Sequence, residues 1–317
     1  MKRVLVVGSV NMDYTVYTDN FPLPGETIYG LSRFVQPGGK GENQAIAIAK
    51  SKKVICDFVG AIGDDQDGKQ IQEVLSSNGV NAHLKVIKGA ETGNATIVVN
   101  KSSENEIIIV AGANGLLKPE DIDLELIKQA DFVVLQNEIS EECNEFVMKK
   151  AKEFGKTVVY NPAPYRKLKE DLFGYIDYFV PNKIEFKNAS GEEDIEKGAA
   201  KLLSKGVKNA LVTLGTEGSL LINKKEQIRV QACKVKAIDT VAAGDTDVGY
   251  FVASLAGSIS MMSPMLHCKA VQMRKRIAVF TFSPLLSLDN VPQHKSASFM
   301  RVDFDMSLSI RRCQSLL

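Results

Sequence analysis

The 317-residue sequence predicts an α/β fold: a three-layer sandwich with a mostly parallel central sheet and a small separate β-sheet. Short β-branched apolar runs alternate with helical patterns, most regularly over residues 131–222, which is typical of βαβ units. The stretches at about 13–35 and 94–110 alternate apolar and polar residues without a helix-length pattern, which favours half-buried antiparallel strands. Such strands could form a lid over the carboxyl ends of the parallel strands, where ligands bind in this class.

The individual elements follow from the same two patterns. Apolar runs predict strands at 4–7, 54–59, 96–99, 107–110, 132–135, 157–159, 178–180, 210–213 and 219–222. Helical patterns are found at 46–50, 68–77, 121–129, 141–154, 194–205 and 248–255.

Composition and charge exclude several classes of protein. The 39 Lys plus Arg against 38 Asp plus Glu leave a formal charge of +1, which argues against a nucleic-acid or membrane-surface partner. No uninterrupted apolar run reaches the ~18 residues of a membrane span, and the first apolar run is too short for a signal peptide. The five scattered Cys have no CxxC pair, which predicts a reducing, cytoplasmic location with Cys56, Cys143 and Cys233 in the core.

The chain changes character near residue 262. Residues 263–317 contain eight Lys plus Arg and three Asp plus Glu, the last Gly is Gly257 and the last Glu is Glu226. Because α/β turns normally need glycine, we expect 1–262 to be the α/β domain and 263–317 an atypical C-terminal segment. Ordinary sampling variation in a short segment is the alternative interpretation.

Three segments contain residues suited to chemistry. The loop 38–45 (Gly-Gly-Lys-Gly-Glu-Asn-Gln-Ala) leads into a helical run, where backbone N–H groups bind anions or hydroxyls; it lacks the Ser or Thr of a Walker P-loop. After the first strand come Asn11 and Asp13, which are either turn formers or ligands for a polyhydroxylated substrate. At 239–246 a small-residue turn precedes a helix, and Asp245 is either its N-cap or a general base.

Together these segments resemble the ribokinase branch of the PfkB carbohydrate kinase family. Residues 8–13 resemble its opening strand-turn, 38–45 its Gly-Gly-Lys-Gly-x-Asn-Gln signature, and 239–245 its Asp-Thr-x-Gly-Ala-Gly-Asp signature. Shorter matches lie at 60–68, 111–114, 136–138, 161–163, 182–185 and 212–218. The resemblance covers about residues 2–256. It implies a ribokinase-like fold and an ATP-dependent sugar kinase that converts D-ribose to ribose 5-phosphate.

The resemblance also implies a role for each matching residue. Asp245 would be the base that activates the ribose 5-hydroxyl, and Glu185 would hold Mg²⁺ through water. The implied sugar-binding residues are Asn11, Met12, Asp13, Gly39, Lys40, Gly41, Glu42, Asn43 and Glu138, together with Asp245. The implied ATP-binding residues are Asn182, Thr213, Leu214, Gly215, Thr216, Glu217, Gly218 and Gly244. The implied anion hole consists of Ala242, Ala243 and Gly244, and the implied site for K⁺ or another monovalent cation of Asp239 and Val241. Lids of this family commonly pair, so a homodimer is also implied.

The sequence departs from the family pattern at several points. Ala242 replaces a Gly, which strains the backbone if φ is positive and is tolerated if the position is helix-like. Glu42 stands where the family usually has a small residue, and we expect it to be solvated. Asp247 replaces an aromatic residue, and no family-like segment follows residue 260 or so.

These departures leave alternatives to a fully active ribose kinase. One is an impaired enzyme or pseudokinase that binds sugar or nucleotide, with weak ATP affinity and low turnover. A second is a PfkB kinase for another sugar or a nucleoside, and a third is an interaction module that uses the basic tail. Lys40 and Glu138 could also form a purely structural ion pair, and His83 is expected at the surface.

Overall fold

A nine-stranded sheet and a four-stranded sheet form the framework of the protein, in a computed structural model that describes residues 1–102, 104–232 and 242–257. The strands are β1 (Arg3–Val7), β2 (Asn11–Tyr17), β3 (Ser32–Gly38), β4 (Ile55–Gly63), β5 (Asn81–Ile87), β6 (Asn94–Val99), β7 (Asn105–Val110), β8 (Phe132–Leu135), β9 (Thr157–Tyr160), β10 (Tyr178–Phe179), β11 (Asn209–Thr213), β12 (Ser219–Asn223) and β13 (Gln227–Val230).

The large sheet has the order β13-β12-β11-β10-β9-β8-β1-β4-β5. From β11 to β5 all neighbouring strands are parallel, and β12 and β13 extend the sheet as an antiparallel hairpin. Strand β1 lies inside the sheet, and its residues 4–7 are all completely buried. This explains its continuous apolar sequence, because a parallel strand covered on both faces has no solvent side. The predicted mostly parallel α/β fold is confirmed.

Seven α-helices are described, and several begin at side chains that cap their first turn. They are α1 (Lys40–Lys50), α2 (Gln66–Ser77), α3 (Leu124–Gln129), α4 (Glu141–Glu153), α5 (Lys183–Ser190), α6 (Ile195–Ser204) and α7 (Ala243–Gly257). Asp65, Ser140 and Asp194 accept hydrogen bonds from backbone N–H groups at the starts of α2, α4 and α6, which satisfies donors that a helix leaves unpaired. Helices α1 and α7 pack against each other. No described helix is long and apolar enough to cross a membrane.

The small sheet is the predicted lid. Its order is β3-β2-β6-β7, with β2 and β6 parallel and the outer pairs antiparallel. Strand β2 follows β1 after three residues, and β3 leads directly into α1. The Tyr14 hydroxyl donates to Asp67 on α2 at 2.5 Å, and the Arg33 guanidinium lies 5.3 Å from the Tyr14 ring centroid. The hydrogen bond to Asp67 connects the lid to α2, and the Arg33–Tyr14 contact joins β3 to β2 within the lid.

Three element predictions needed correction. The single helix predicted at 121–129 is a 3₁₀ turn at Pro119–Asp121 followed by the short α3, because Asp123 caps a new helix start. The patterns at 46–50 and 248–255 were too short, since α1 begins at Lys40 and α7 at Ala243. Strands β5 and β13 and helix α5 were not predicted.

Part of the predicted organisation falls outside the described residues. The described residues all lie at or before Gly257. The predicted boundary near 262, the segment 263–317 and Cys233 are not among them. Cys56 and Cys143 are buried and free, as predicted.

Candidate active site

The segments that follow β1, β8, β10 and β11 lie at the carboxyl ends of neighbouring parallel strands. They carry Asn11, Glu138, Asn182 and Gly215, respectively. Ligands of open α/β sheets bind along this edge. The lid strand β2 and the loop before α1 reach the same edge, because β2 leaves the sheet directly after β1.

Asp13 is buried on β2 and close to the glycine loop. An ideal Cβ on Gly38 would lie 2.2 Å from Oδ2 of Asp13, so only glycine fits opposite this carboxylate. Burial, and then the charges of Glu138 and Asp245, raise the pKa of Asp13 to about 7, while the charge of Lys40 opposes this rise.

Asn11 has its amide orientation fixed by Asn114. The Asn114 side chain donates to Oδ1 of Asn11 at 2.9 Å and also holds both backbone groups of Val10. Since Oδ1 of Asn11 is occupied, its NH₂ group remains as the donor for a ligand. Met12, between Asn11 and Asp13 on the strand, is completely buried, and alternation places its side chain on the opposite face. Its side chain is therefore a core group.

Glu138 joins the strand-end segments to the glycine loop. Its Oε2 accepts hydrogen bonds from Ser9 Oγ at 2.5 Å and from the backbone N–H of Lys40 at 2.9 Å. Gly39 makes this approach possible, since its φ is +93° and an ideal Cβ would lie 2.9 Å from the Asn11 nitrogen. Next in the loop, Gly41 donates its N–H to Ser9 Oγ at 3.3 Å.

The charges of four carboxylates act on the Lys40 ammonium. Burial lowers its pKa, but the charges of Asp245, Glu138, Glu185 and Asp13 outweigh this and hold the pKa above its ordinary value. No acidic oxygen of the described residues lies within ion-pair distance of the ammonium, and Glu138 contacts the backbone of Lys40 instead. The alternative of a structural Lys40–Glu138 ion pair is therefore wrong.

Asp245 lies in the first turn of α7 and is 8 % exposed. Burial raises its pKa, while Lys40 and a hydrogen bond from Gln44 lower it. The Gln44 Nε2 donates to Asp245 Oδ1 at 3.0 Å. Asn43 is half-buried on α1, next to Gln44, and its hydrogen bond to Asp245 also lowers the pKa of Asp245. Asp245 is thus a buried acceptor at a helix N-terminus with a cation nearby.

Gln44 is a site residue that the sequence analysis did not identify. Its Nε2 also donates to Asn161 Oδ1 at 3.1 Å, and its Oε1 accepts from Gln136 Nε2 at 2.7 Å. This chain of buried amides fixes which end of Gln44 faces Asp245. Position in the 38–45 signature is the one signal that could have found it.

The turn before α7 has a strained residue. Ala242 has φ +56°, in the left-handed region that disfavours residues with a Cβ. Its carbonyl accepts from the N–H and the hydroxyl of Thr246, both at 2.9 Å. Ala243 is half-buried and Gly244 exposed at the helix start. Of the two possibilities for Ala242, the strained one is found.

Asn182 and Glu185 close the other side of the site. Each accepts a hydrogen bond from the other's backbone N–H, both at 2.8 Å, in a capping box at the start of α5. Burial raises the pKa of Glu185, the Asn182 N–H and Lys40 lower it, and Asp245 raises it. These couplings bring Glu185 into the same electrostatic cluster as Lys40 and Asp245.

The segment after β11 offers an accessible surface beside α5. Thr213 is bridged to Asn182, Leu214 is mostly buried, and Gly215, Thr216 and Glu217 form an exposed 3₁₀ turn. Gly218 ends the turn with φ +98°. Thr213–Gly218 thus form one continuous strip next to Asn182, whereas Gly244, the remaining predicted nucleotide residue, lies on α7.

Glu42 corrects an expectation. It is 0 % exposed, and neither carboxylate oxygen has a hydrogen-bond partner among the described residues. Burial, and then the charge of Asp13, raises its pKa well above the ordinary value. The expected solvated residue is thus a buried acid, because α1 packs against α7, β1 and β4. His83 is exposed, as predicted.

The predicted monovalent-cation residues, Asp239 and Val241, lie outside the described residues. Within those residues, no group of three or more His, Cys, Asp or Glu side chains is arranged to hold a metal ion.

Comparisons with known proteins show the family of the chain. A family model described as pfkB family carbohydrate kinase matches residues 1–261. The chain is 36 % identical over 267 residues to a ribokinase of Lactococcus lactis, covering 82 % of this chain and 86 % of the relative. It is also 36 % identical over 258 residues to a deoxyribokinase of Salmonella typhi, covering 78 % and 84 %.

Solved structures show the same fold. A ribokinase crystal structure from Thermotoga maritima superposes with a TM-score of 0.80 at 38 % identity, covering 89 % of this chain and 94 % of that one. An Arabidopsis thaliana ribokinase complexed with ribose and ATP gives a TM-score of 0.78 at 32 % identity, covering 86 % and 91 %.

Proposed function

The chain belongs to the pfkB family of carbohydrate kinases, and from this premise we propose that it transfers the γ-phosphoryl group of ATP to the 5-hydroxyl of D-ribose. The observation that carries the proposal is the single cluster formed by Asp13, Glu138, Lys40, Glu185 and Asp245. Polar sugar-side groups and the nucleotide-side capping box meet there, with a buried acceptor between them. The relatives named ribokinase support ribose as the sugar.

In this proposal Asp245 accepts the proton of the attacking hydroxyl. Its raised pKa makes it a better base than an exposed aspartate, while Lys40 and Gln44 keep it ionised enough to act. The N-terminal N–H groups of α7, at Ala243 and Gly244, point their dipoles toward charge that develops on the transferred phosphoryl group. The protein thus supplies orientation and electrostatic stabilisation, which dominate phosphoryl transfer.

Mg²⁺ fits the residues at the start of α5. Mg²⁺ is usually held by one or two carboxylates, substrate phosphates and water, and Glu185 offers one half-buried carboxylate next to the exposed nucleotide strip. When bound, the ion would neutralise phosphate charge. A monovalent cation at Asp239 and Val241 remains an implication of the family resemblance. We also place the protein in a reducing cytoplasm, in keeping with its free Cys56 and Cys143.

The direct test is ribose-dependent ADP formation by the full chain with ATP and Mg²⁺. ADP release that requires ribose supports the proposal. The proposal is contradicted if no sugar stimulates ADP release and calorimetry detects no ribose binding.

We expect ribose to exceed 2-deoxyribose in kcat/KM by at least about tenfold. The NH₂ group of Asn11, left as donor by the Asn114 contact, needs a hydroxyl partner, and a buried polar group left unpaired discriminates strongly against an analogue that lacks the hydroxyl. Steady-state kinetics with both sugars measure the ratio. Asn11→Ala should lower the ratio of kcat/KM for ribose to that for 2-deoxyribose. A native chain that prefers 2-deoxyribose would contradict ribose as the substrate.

Replacing Ala242 by Gly should improve the enzyme. Relief of a left-handed alanine is worth roughly 1–2 kcal/mol, and we expect higher stability together with a several-fold higher kcat, since the turn presents the anion-binding helix start. This strain is the observation that favours impaired turnover in the native chain. Ala243→Gly is the matched control, because position 243 begins α7 and glycine there should lower stability by ~0.5–1 kcal/mol. No gain at 242 would remove the link between strain and turnover.

We also propose a homodimer formed through the lid. Residues 107–110 on the edge strand β7 are 45–68 % exposed although all are Ile or Val, and Phe34 on β3 is 46 % exposed. Such an apolar surface is typical of an interaction site. Light scattering of the native chain should give twice the monomer mass, and Ile108→Asp should give a monomer.

A further inference from the structure

Arg166 donates hydrogen bonds to the backbone on both sides of Glu138. Its guanidinium donates from Nη1 to the Ile139 carbonyl at 3.1 Å and from Nη2 to the Asn137 carbonyl. One side chain thus binds the carbonyl groups of the two residues that flank Glu138, a proposed sugar-binding residue. Among the described residues, no other donor is hydrogen-bonded to either carbonyl.

The turn that contains Glu138 depends on this segment for its position. Gln136–Glu138 follow β8, and α4 begins just beyond at Glu141, so the turn belongs to neither element. The Asn137 N–H donates to the Ala163 carbonyl at 2.9 Å, and the Tyr160 hydroxyl donates to Asn137 Oδ1 at 2.5 Å. Together with the Arg166 fork, these contacts dock the turn onto residues 160–166.

On its other side the turn meets the glycine loop. Glu138 accepts from Ser9 and from the Lys40 backbone, so a shift of the Glu138 backbone would disturb the sugar-side groups together. The nucleotide strip at Thr213–Gly218 has no hydrogen bond to this turn among the described contacts. Movement of the turn should therefore affect the sugar much more than ATP.

We propose that Arg166 is a positioning residue that fixes Glu138 for sugar binding; this inference rests on the proposed kinase function. A planar guanidinium presents several N–H donors in a rigid fork and can hold two carbonyls at once, whereas a lysine ammonium is a compact point charge. A misplacement of about 1 Å in a site can cost about 10²-fold in activity.

The surroundings of Arg166 provide a control and a rescue. Arg166 lines a solvent-open cleft of about 250 Å³ together with Lys167 and Lys205. Lys167 is exposed and has no ion-pair partner among the described residues, so Lys167→Met removes a neighbouring charge without touching the Glu138 turn. Because the cleft is open, added guanidinium can reach the space left by Arg166→Ala.

The experiment compares Arg166→Met, Arg166→Lys and Lys167→Met with the native chain, by ribose calorimetry and by KM for ribose and for ATP. We expect Arg166→Met to weaken ribose binding and raise its KM by about 10–100-fold, with the KM for ATP changed less than about threefold. The ribose affinity of Arg166→Lys should lie between those of Arg166→Met and the native chain. Lys167→Met should match the native chain in ribose affinity and in both KM values. Low millimolar guanidinium chloride should partly restore ribose binding in Arg166→Ala.

Several results would overturn the proposal. One is native ribose affinity in a folded Arg166→Met; another is an equal loss for ribose and ATP. If Arg166→Met does not fold, native ribose affinity in Arg166→Lys overturns it.

A chain that binds no ribose at all would instead count against the proposed function. Amide hydrogen exchange of residues 136–140 then still decides the role of Arg166. Faster exchange in Arg166→Lys than in Lys167→Met supports the restraint, and equal exchange refutes it.

Discussion

Asp245→Asn is expected to lower kcat by roughly 10²–10⁴-fold while leaving ribose affinity largely intact. The amide keeps the size of the carboxylate and can still accept the hydrogen bond from Gln44 at Oδ1. It cannot accept a proton from the attacking hydroxyl. The loss should therefore appear in the chemical step, measured as kcat at saturating ATP and ribose, with ribose binding followed separately by calorimetry.

Stability provides the control for this variant. Burial raises the pKa of Asp245, so the stability it contributes is present at low pH and is lost as pH rises toward the folded-state pKa. Asp245→Asn removes this loss and should be at least as stable as the native chain at pH 7–8. A stable variant with near-normal kcat would show that Asp245 is only an N-cap.

Glu42→Ala is expected to stabilise the protein at pH 8 but not at pH 4.5. Glu42 is fully buried without a hydrogen-bond partner among the described residues, and its folded-state pKa lies well above the ordinary 4.5. Because Glu42 ionises in the unfolded chain but not in the fold, the free energy of unfolding falls as pH rises above 4.5. The fall is about 1.4 kcal/mol per pH unit until the folded-state pKa is reached. Alanine does not titrate, so its advantage grows with pH.

Chemical denaturation at half-unit pH steps measures this slope. Asp13 and Asp245 have raised pKa values of the same sign, but they are present in both proteins and largely cancel in the difference. Glu42→Gln is the matched control, since it keeps the side-chain shape and also does not titrate. A native-minus-variant difference that is flat from pH 5 to 8 would mean that Glu42 is ionised in the fold.

The sequence predicted those elements whose residues share one environment. Strand β1 and its parallel neighbours β4 and β8 are mostly apolar because both faces are covered. Strand β5 was missed because it is the sheet edge, where Asn81, His83 and Lys85 face solvent and interrupt an apolar run. Helix α5 was missed for another reason: Asn182 and Glu185 were interpreted as ligands only, although the same pair forms the capping box that starts the helix.

Site residues could be predicted from the sequence where they belong to a recognisable motif. The surroundings of a residue could not be predicted where contacts distant in sequence determine them. Asp13, Lys40 and Asp245 are electrostatically coupled, and their predicted roles stay predictions. Glu42 was misjudged because a carboxylate in a first helical turn is usually solvated. The role of Gln44 depends on Asp245, 201 residues away along the chain, a distance over which local pattern carries no information.

The edge strand of the lid has a consequence outside catalysis. Residues 105–110, Asn-Glu-Ile-Ile-Ile-Val, form a six-residue segment with high β-propensity and one charge. Among the described strands, none pairs with the outer side of this one. Such segments are templates for edge-to-edge aggregation. In the proposed dimer this edge would be covered, so we expect a mutation that separates the lids to speed precipitation, with Glu104 and Glu106 as gatekeepers that slow it. Selection at Glu104 and Glu106 would then act on resistance to aggregation in the cell as well as on turnover.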